Sequence, residues 1–466
     1  MIKHILALVL LIISNQFFAQ SFYFGSDMSY VNEMEDCGVT YYEDQTQKDP
    51  YLIFENHGCN LVRLRLWHTP TWYDNLNNGD RYSDLADVKI AIARARQNNM
   101  TVLLDFHLSD NWADPGHQLV PDAWLSVVDN TDLLKDSLYN YIFKTLSELN
   151  DSDLLPEMIQ IGNETNKGIL LSPEDNLVWT LDWPRNATLF NQAIKAVEDF
   201  EQLTGKDIKI VLHVAGPANA EWLIDGFISN DVTNFDIIAL SYYWAWHMPT
   251  SIAETGDIIK TLRNLYPDKE VFIAETGYIW TTDWNDEANN IISETHPDYS
   301  PASPVNQRDW LIDLTKEVIA SDGKGVIYWE PCWVSSSCFT QWGQGSHQEH
   351  ATFFDFENNL LMPGGIEWMS YDYDLISGTK EISDLNQIQI LTNSFSGDIK
   401  IKQHTVVPKK INYSVTDTLG KVILFDSTNN FETTFKLTNV PYGVYIISVY
   451  YNEILIKSKK FIYSNT

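Results

Sequence analysis

Eight short apolar segments with the composition of β-strands recur along the chain before residue 335, and helical segments separate them. The eight segments begin at Phe22, Asn60, Thr101, Met158, Ile208, Phe235, Glu270 and Gly325. Between them, stretches such as residues 87–99 and 256–267 repeat apolar residues every three or four positions, as amphipathic helices do. Eight strand–helix repeats predict a parallel sheet that closes on itself, a (β/α)8 barrel of the TIM type over residues 21–375.

The predicted strands share a second feature: they start apolar and end on a polar or aromatic side chain. The residues at these ends are Asp27, Arg65, His107, Glu164, His213, Tyr243, Glu275 and Trp329. In a (β/α)8 barrel, the carboxyl ends of the strands and the loops after them form the active-site face. We therefore expect these side chains to converge on one mouth, where Asp27 and His213 would bind substrate together with the others.

Two of these strand ends are glutamates, Glu164 in GNETN after the fourth strand and Glu275 in IAETGY after the seventh. Hydrolysis of a glycosidic bond typically uses two carboxyl groups, one as proton donor and one as nucleophile or base. Two carboxyl groups in one pocket also separate each other's pKa values, so that one stays protonated at neutral pH. Either glutamate alone could equally cap the next helix, but the pair predicts a glycosidase.

Charge and aromatic content narrow the class of ligand. The chain has 31 basic and 63 acidic residues, a net charge of −32, which argues against nucleic acids and anionic membranes as partners because phosphate neutralisation needs Lys and Arg. Its 16 Trp, 23 Tyr and 21 Phe residues make up 13% of the sequence, more than a core of this size usually needs. Because Trp rings stack on sugars and other flat ligands, part of this excess is expected in a binding cleft.

The first 20 residues have the features of a signal peptide. One lysine precedes an apolar stretch from Ile5 to Ile13, and the polar exit FFAQ follows. The apolar stretch is too short to span a bilayer, so cleavage after Gln20 is expected and the mature protein should be exported.

Four cysteines, Cys37, Cys59, Cys332 and Cys338, could form two disulfides in any of three connectivities. Cys332 and Cys338 are close enough in the chain to pair with each other locally. Their spacing does not resemble a zinc site, so we expect all four to be structural or free.

The character of the chain changes near residue 380. Every Trp lies at or before Trp368, and from Phe395 onward nine Lys face five acidic residues. Short alternating runs separated by turn residues predict an antiparallel β domain over residues 376–466. Its lysine-rich strands could simply protect exposed sheet edges.

The barrel resembles glycoside hydrolase family 53, the endo-β-1,4-galactanases, over about residues 22–367. The motifs that carry the resemblance are GSDMSYVNEME, GCNLVRLRLW, DFHLSDNWADPGHQ, IGNETNKG, LSYYWAW, IAETGY and the block from Ile327 to Phe356. The Asn-Glu pair alone would identify only the larger clan of retaining barrel glycosidases, whereas DFHLSDNWADPGHQ and the last block are more specific. The chain lacks the aromatic residue before Ser109 and the proline after Tyr243 that are usual in the family.

The resemblance implies a role for each matching residue. Glu164 would be the acid/base and Glu275 the nucleophile, and Arg65 with one of Tyr242 or Tyr243 would orient Glu275 and hold it ionised. The residues implied along the groove are Trp329 beneath the sugar at the cleavage point, Asn163 at the 2-hydroxyl, and His107, Trp112 and Asp114.

The resemblance raises the question of a metal. Some bacterial members hold a structural calcium in the loop after the seventh strand, where this chain offers Asp283, Asp286 and Asn289. These residues lack the family's ligand spacing, and acids in a surface loop are more often merely solvated. We therefore expect no required cofactor and no metal site.

The C-terminal domain resembles the sorting domains of the type IX secretion system of Bacteroidetes. GKVIL followed by LTNVPYGVYIISVYYNEILIKSKKFI carries this resemblance. It implies a secreted or cell-surface protein that engages that secretion machinery; a small carbohydrate-binding module is the alternative, which the absence of Trp in this region disfavours.

The sequence therefore predicts an extracellular, monomeric enzyme that cuts β-1,4-galactan of type I arabinogalactan and pectin by a retaining mechanism. Two alternatives remain open at this point: the same chemistry on a β-linked mannan or glucan, and a surface protein that binds glycans without cleaving them. The two catalytic carboxylates would be the same for each of these glycans, so they do not indicate the stereochemistry of the hydroxyl groups on the substrate.

Overall fold

The computed structural model describes residues 22–373 and 388–464, apart from 394–395, 404–409, 419–420, 439 and 452–453. The predicted signal peptide, residues 1–20, lies outside the described residues. The chain divides into two compact units after Tyr373. Within the part of the chain that is described, no helix combines the length and apolar character needed to cross a membrane.

Eight parallel strands of the first unit form a closed barrel, which confirms the predicted fold class. The strands are β1 (Tyr23–Asp27), β2 (Leu61–Leu66), β3 (Thr101–Phe106), β4 (Met158–Ile161), β5 (Lys209–Ala215), β6 (Ile237–Ser241), β7 (Glu270–Thr276) and β8 (Gly325–Tyr328). Each strand pairs with its neighbours in sequence, and β8 pairs with β1 in register through Tyr23 and Gly325.

Helices lie between the strands. They are α1 (Val31–Asp36), α2 (Pro50–Asn56), α3 (Leu85–Gln97), α4 (Thr131–Asp151), α5 (Trp183–Thr204), α6 (Ala220–Ser229), α7 (Trp244–His247), α8 (Ile252–Leu265) and α9 (Pro304–Ala320). Local sequence sets several ends: Ser251 and Glu254 form a capping box at the start of α8, and Gly205 ends α5 with φ +69°. The apolar faces of these helices pack on the outward side chains of the strands.

The barrel interior changes character along its axis. Alternate residues of each strand point inward, and those near the amino ends form an apolar cluster. Its members are Leu61, Leu103, Met158, Val211, Ile237, Ala239, Phe272, Ala274 and Ile327. Gly25 completes this layer, since a Cβ there would lie 2.7 Å from Cγ1 of Ile327. Towards the carboxyl ends the inward positions become charged or polar, beginning with Arg63, Asp105 and Gln160.

A disulfide joins Cys37, at the end of α1, to Cys338 in the loop after β8, with Cα atoms 5.6 Å apart. Cys59 and Cys332 are buried and unbonded. The local pairing of Cys332 with Cys338 is therefore wrong. Barrel closure brings the loops after the first and last strands together, so that Cys338 meets a cysteine 301 residues away in sequence.

The second unit contains two antiparallel sheets among its described residues. Its strands are β9 (Ile388–Thr392), β10 (Asp398–Gln403), β11 (Ile411–Asp417), β12 (Val422–Thr428), β13 (Glu432–Lys436), β14 (Gly443–Tyr451) and β15 (Ile454–Tyr463). One sheet has the order β9-β10-β13 and the other β12-β11-β14-β15. Side chains of both sheets, including Ile399, Val415 and Ile447, share one apolar core, as the alternating sequence pattern predicts.

Candidate active site

A cleft of about 770 Å³ opens where the barrel strands have their carboxyl ends. Its walls carry Trp112, Ala113, Asp114, Pro115, Asn163, Glu164, Ala215, Tyr243, Trp246, His247, Glu275, Asn289, Ile291, Trp329, Trp333, Trp342 and His347. The two predicted catalytic glutamates thus face one cavity, and six aromatic rings of Trp and Tyr surround them. A polar floor within aromatic walls is the usual composition of a carbohydrate or small-molecule site.

A β-bulge in β7 directs Glu275 into this cleft. Phe272 and Ala274 face the barrel interior, so regular alternation would turn the next residue outward. The ladder to β6 shifts register between Leu240 and Ser241, and Glu275 comes to lie opposite Ser241. The extra residue in β7 therefore re-aims Glu275 inward, a frequent use of bulges beside active sites.

The Glu275 carboxylate is held by a cation and a hydroxyl. Nη1 of Arg63 lies 2.7 Å from Oε1 of Glu275, and the Tyr243 hydroxyl donates to Oε2 at 3.3 Å. The same guanidinium binds Asp27 at 2.9 Å and Asp105 at 2.8 Å. All five side chains are buried. One guanidinium thus fixes three carboxylates, and its planar donors define where the Glu275 oxygens lie.

Glu164 reaches the cleft through a left-handed backbone conformation, with φ +48° and ψ +56°, directly after β4. A non-glycine residue in this region is uncommon and is often found at functional sites. The Ser241 hydroxyl hydrogen-bonds to the Glu164 carboxyl group, and Oγ of Ser241 also lies 2.9 Å from Nε2 of His213. Asn163 is fixed beside it, because Arg63 donates to its Oδ1 at 2.7 Å and its Nδ2 donates to the Ala113 carbonyl at 2.7 Å.

The surroundings of Glu164 and Glu275 give the two carboxyl groups different pKa values. Burial and the negative charge of Glu275 raise the pKa of Glu164 to about 8. Burial also raises the pKa of Glu275, to about 7, but its direct ion pair with Arg63 opposes that rise. The pair therefore loses its first proton from Glu275, and the remaining proton stays on Glu164 at neutral pH.

Trp329 and Trp112 form part of the cleft wall and meet edge to face, with ring centroids 5.7 Å apart. Arg65 supports this wall from behind: its guanidinium carbon lies 4.2 Å from the Trp112 ring centroid and 4.4 Å from that of Trp67. Its Nη1 pairs with Glu330 at 3.1 Å. Arg65 thus stabilises an aromatic surface by cation–π contact.

The prediction that Arg65 orients Glu275 is therefore wrong, because Arg63 occupies that place. Both arginines point inward from β2, two residues apart, but only Arg63 is level with Glu275. Of the two tyrosines, Tyr243 contacts Glu275, whereas the Tyr242 hydroxyl donates to the Thr250 carbonyl at 2.8 Å outside the cleft.

The remaining strand-end predictions fall into two groups. Trp112, Asp114, Asn163 and Trp329 line the cleft as predicted, with Glu164, Glu275 and Tyr243. Asp27, His107 and His213 are buried behind the cleft surface and do not line it, which corrects their predicted contact with substrate. Nδ1 of His107 pairs with Asp105 at 2.8 Å, and burial holds the pKa of His213 well below its ordinary value, so that this imidazole is neutral.

Four residues that hold the catalytic groups were not predicted from the sequence: Arg63, Asp105, Gln160 and Ser241. Gln160 accepts from Nε of Arg63 at 3.1 Å and donates to Asp105 at 2.8 Å. All four occupy inward positions: Asp105, Gln160 and Ser241 lie at or just before the end of a strand, and Arg63 lies in the middle of β2. A polar residue at such a position, inside an otherwise apolar strand, is the signal that could have identified them.

The loop after β7 carries Asp283, Asp286 and Asn289, the residues considered above as calcium ligands. Asp286 uses its carboxylate to accept backbone N–H groups of Ala288 at 3.0 Å and Ser346 at 2.7 Å, so it ties this loop to the loop after β8. Asp283 is exposed, and Asn289 lies in the cleft wall. Among the described residues, no group of three or more His, Cys, Asp or Glu side chains is arranged to hold a metal. Asp286 is engaged by backbone N–H groups and Asn289 lies in the cleft wall, so these donors do not fit a shared calcium ion; that no metal is required stays a prediction.

Comparison with known proteins agrees with this geometry. The family model of glycosyl hydrolase family 53 matches residues 23–363. An arabinogalactan endo-beta-1,4-galactanase of Cellvibrio japonicus is 46% identical over 345 residues, which cover 73% of this chain and 89% of the relative. The endo-beta-1,4-galactanase of Bacillus subtilis is 31% identical, covering 73% of this chain and 79% of the relative.

Solved structures give the same result. The GH53 catalytic domain of Ignisphaera aggregans superposes with a TM-score of 0.67 at 30% identity, covering 76% of this chain and 97% of that domain. A fungal beta-1,4-galactanase structure superposes with a TM-score of 0.61 at 26% identity, covering 75% and 98%.

A second family model, the secretion system C-terminal sorting domain, matches residues 392–464. The C-terminal unit is therefore a sorting domain, and the protein is exported through type IX secretion to the cell surface or the medium. The barrel carries the predicted catalytic carboxyl pair in an aromatic cleft and matches the family model over residues 23–363, and the chain therefore belongs to glycosyl hydrolase family 53.

Proposed function

We propose that the exported barrel is an endo-acting β-1,4-galactanase that hydrolyses type I arabinogalactan by a retaining, double-displacement mechanism. The observation that carries the proposal is the difference between the two carboxyl groups in one aromatic cleft. Glu275 is paired with a guanidinium, whereas Glu164 keeps a proton at neutral pH. The 46% identity to a galactanase supports the choice of substrate.

In the first step, Glu275 attacks the anomeric carbon of the sugar beside Trp329. Glu164 gives its proton to the glycosidic oxygen, which leaves with the reducing-end part of the chain. The Glu275–sugar ester bond forms as the glycosidic bond breaks, so charge moves from Glu275 onto the leaving oxygen and is neutralised by the proton. Arg63 and Tyr243 hold the attacking carboxylate in one orientation until then.

In the second step, Glu164 is a carboxylate and acts as the base. Once Glu275 is esterified it no longer repels a negative charge on Glu164, so the pKa of Glu164 falls and the group can remain ionised until water enters. Glu164 then takes a proton from that water, whose oxygen attacks the anomeric carbon and releases Glu275. Two inversions give net retention.

Asn163 is placed to bind the 2-hydroxyl of the sugar at the cleavage point. Arg63 and the Ala113 carbonyl fix its amide orientation from both sides, and it lines the cleft next to Glu164. A hydrogen bond to the 2-hydroxyl strengthens as the transition state forms, so a pre-oriented amide contributes more there than in the bound ground state.

The substrate and the stereochemical course have one combined test. The protein is incubated with unbranched β-1,4-galactan, β-mannan and cellulose, and reducing ends, product sizes and the anomer released first are followed by chromatography and proton NMR. We expect galactan alone to be cut rapidly, at internal bonds, with the β-anomer released first. Preferential cleavage of mannan or glucan would reject the substrate, and initial α-anomer would reject the mechanism.

The same experiment separates catalysis from simple binding. A surface glycan-binding protein would retain galactan without releasing reducing ends.

The proposal further includes a monomer with no metal requirement and no nucleic-acid partner; the net charge of −32 supports the last point. Activity that disappears after chelation and returns with calcium would overturn the metal-free part.

A further inference from the structure

Three consecutive apolar side chains face solvent in the loop between β4 and α5. Leu177, Val178 and Trp179 are 83%, 50% and 70% exposed, and we call these three residues the outer patch. The loop that carries them follows directly from Glu164 and its short 3-10 turn, Thr165–Lys167. An exposed apolar cluster in a loop that begins at a binding cleft is a candidate for ligand contact.

The base of this loop is fixed to the catalytic residues. The Asn176 side chain accepts from the Gln118 backbone N–H at 2.8 Å and donates to the Gly116 carbonyl at 3.2 Å. Nε2 of Gln118 in turn donates to the Asn163 carbonyl at 2.7 Å and the Glu164 carbonyl at 3.3 Å. Asn176, which immediately precedes the outer patch, is thus connected through Gln118 to the segment that carries Glu164.

The Trp179 ring is held by a buried cation. Nζ of Lys167 lies 5.4 Å from the ring centroid, and its ammonium also donates to the Asn176 carbonyl. Lys167 is only 3% exposed, whereas most of the indole is in contact with solvent. A cation–π contact from inside the protein stabilises the ring in an outward position. This leaves an open aromatic surface of the type on which sugars stack.

The position of Glu164 indicates which part of the substrate would pass over this surface. Because Glu164 protonates the leaving oxygen, the sugars on the reducing-end side of the cut depart along the Glu164 side of the cleft. Asp114 and Pro115 line the cleft and belong to the segment that Gln118 and Asn176 join to the patch. Hydrogen bonds therefore connect the part of the cleft wall at Asp114 and Pro115 to the base of the outer patch.

We propose that the outer patch is a distal binding site for the leaving half of a galactan chain, with Trp179 as the stacking platform. The inference rests on the proposed galactanase activity. It makes Trp179 a determinant of chain-length preference: a short oligosaccharide would fill the cleft without reaching the ring, whereas a long one would contact it.

The test compares Trp179→Ala and Trp179→Phe with the parent protein. Leu203→Ala is the matched control, because Leu203 is 73% exposed at the opposite end of α5. The value of kcat/KM is measured on β-1,4-galacto-oligosaccharides of three to eight units with a fluorophore at the reducing end. We expect Trp179→Ala to lose about three- to tenfold on the longest substrates and nothing on the shortest. Trp179→Phe should recover most of the loss, and Leu203→Ala should match the parent.

The labelled products also give the position of each cut. In the parent, long substrates should be cut so that several sugars remain on the labelled side, and Trp179→Ala should shorten that labelled fragment. An equal loss on every length, or no loss on any, would overturn the inference, as would a shortened unlabelled fragment. A parent that cuts no galactan would instead reject the proposed function, so the two failures are distinguishable.

Discussion

The two halves of the barrel interior are filled by different kinds of side chain, apolar in one half and charged or polar in the other. Near the amino ends of the strands, Leu103, Ile237, Phe272 and other apolar side chains fill the space without a polar atom. Near the carboxyl ends, Arg63 is enclosed by the side chains of Asp27, Asp105, Gln160, Asn163 and Glu275. Both halves are buried.

The difference separates stability from function. Apolar packing contributes directly to stability, whereas a buried ion cluster pays a desolvation cost that its hydrogen bonds only offset. The polar half is therefore better explained by its positioning of the carboxyl groups in the cleft than by a contribution to the stability of the fold. If so, substitutions in the two halves should affect different measurements.

Glu275→Ala should give the largest difference between loss of activity and loss of stability. Removing the nucleophile prevents formation of the glycosyl-enzyme, so we expect kcat on galactan to fall by about 10⁴-fold or more. The midpoint of thermal unfolding should change little, because the variant also relieves the burial of a carboxylate. Reducing-sugar release and circular dichroism measure the two effects. A variant with substantial activity would place the nucleophile elsewhere.

Arg63→Met should damage both properties. It leaves Asp27, Asp105 and Glu275 without their shared cation, so we expect a loss of about 3 kcal/mol in stability and about 10³-fold in kcat. The parent should show a bell-shaped pH profile, rising near pH 7 as Glu275 ionises and falling near pH 8 as Glu164 loses its proton. Without Arg63 the pKa of Glu275 rises further, so the acidic limb should move to higher pH.

Arg65→Met is the matched control for that shift. Arg65 pairs with Glu330 and packs on Trp112, so its loss should weaken folding and substrate binding but leave the acidic limb in place. A shift of that limb in Arg65→Met, and none in Arg63→Met, would reverse the assignment of the two arginines.

Phe272→Ala tests the apolar half. Phe272 is fully buried, and its truncation leaves a cavity, so the free energy of unfolding should fall by about 3 kcal/mol. Because Phe272 lies three residues before Glu275 and packs in the apolar cluster, kcat on the folded fraction should stay within about threefold of the parent. Urea unfolding and activity at low temperature measure these values. A large loss of kcat without loss of stability would contradict the division between the halves.

Glu164→Gln should change how the stability of the protein depends on pH. The pKa of Glu164 in the folded protein is raised to about 8 from an ordinary value of 4.5. Between these values the folded state holds a proton that the unfolded state has lost, so parent stability declines as pH rises through this window. Glutamine removes that decline, so the variant should gain stability relative to the parent between pH 4 and pH 9, by up to about 5 kcal/mol for a shift of this size. Unfolding curves at both pH values test it; an equal difference at both would contradict the shift.

The sequence predicts the barrel and the catalytic pair because both depend on local patterns. Apolar strands with polar ends recur eight times, and Glu164 and Glu275 each close one of them. The choice between Arg63 and Arg65 depends on depth along the barrel axis, which alternation alone does not give. The bulge that turns Glu275 inward depends on the strands paired with it, and such register shifts leave no clear local signature.

Other features arise only from closure. Asp27, His107 and His213 end predicted strands as Trp329 does, yet they lie beneath the cleft because neighbouring strands and loops cover them. The partner of Cys338 is likewise set by the meeting of β1 and β8 and not by nearness in sequence.

The Cys37–Cys338 link has a consequence for where the enzyme matures. It ties the loop that carries Trp333 and Trp342 to the start of the barrel, so one wall of the groove is fastened only after almost the whole first unit has been synthesised. A thiol pair of this kind stays reduced in the cytoplasm and oxidises beyond the inner membrane. Assembly of the finished groove is thereby coupled to export, because the link between its two loops forms only after the chain has left the cytoplasm.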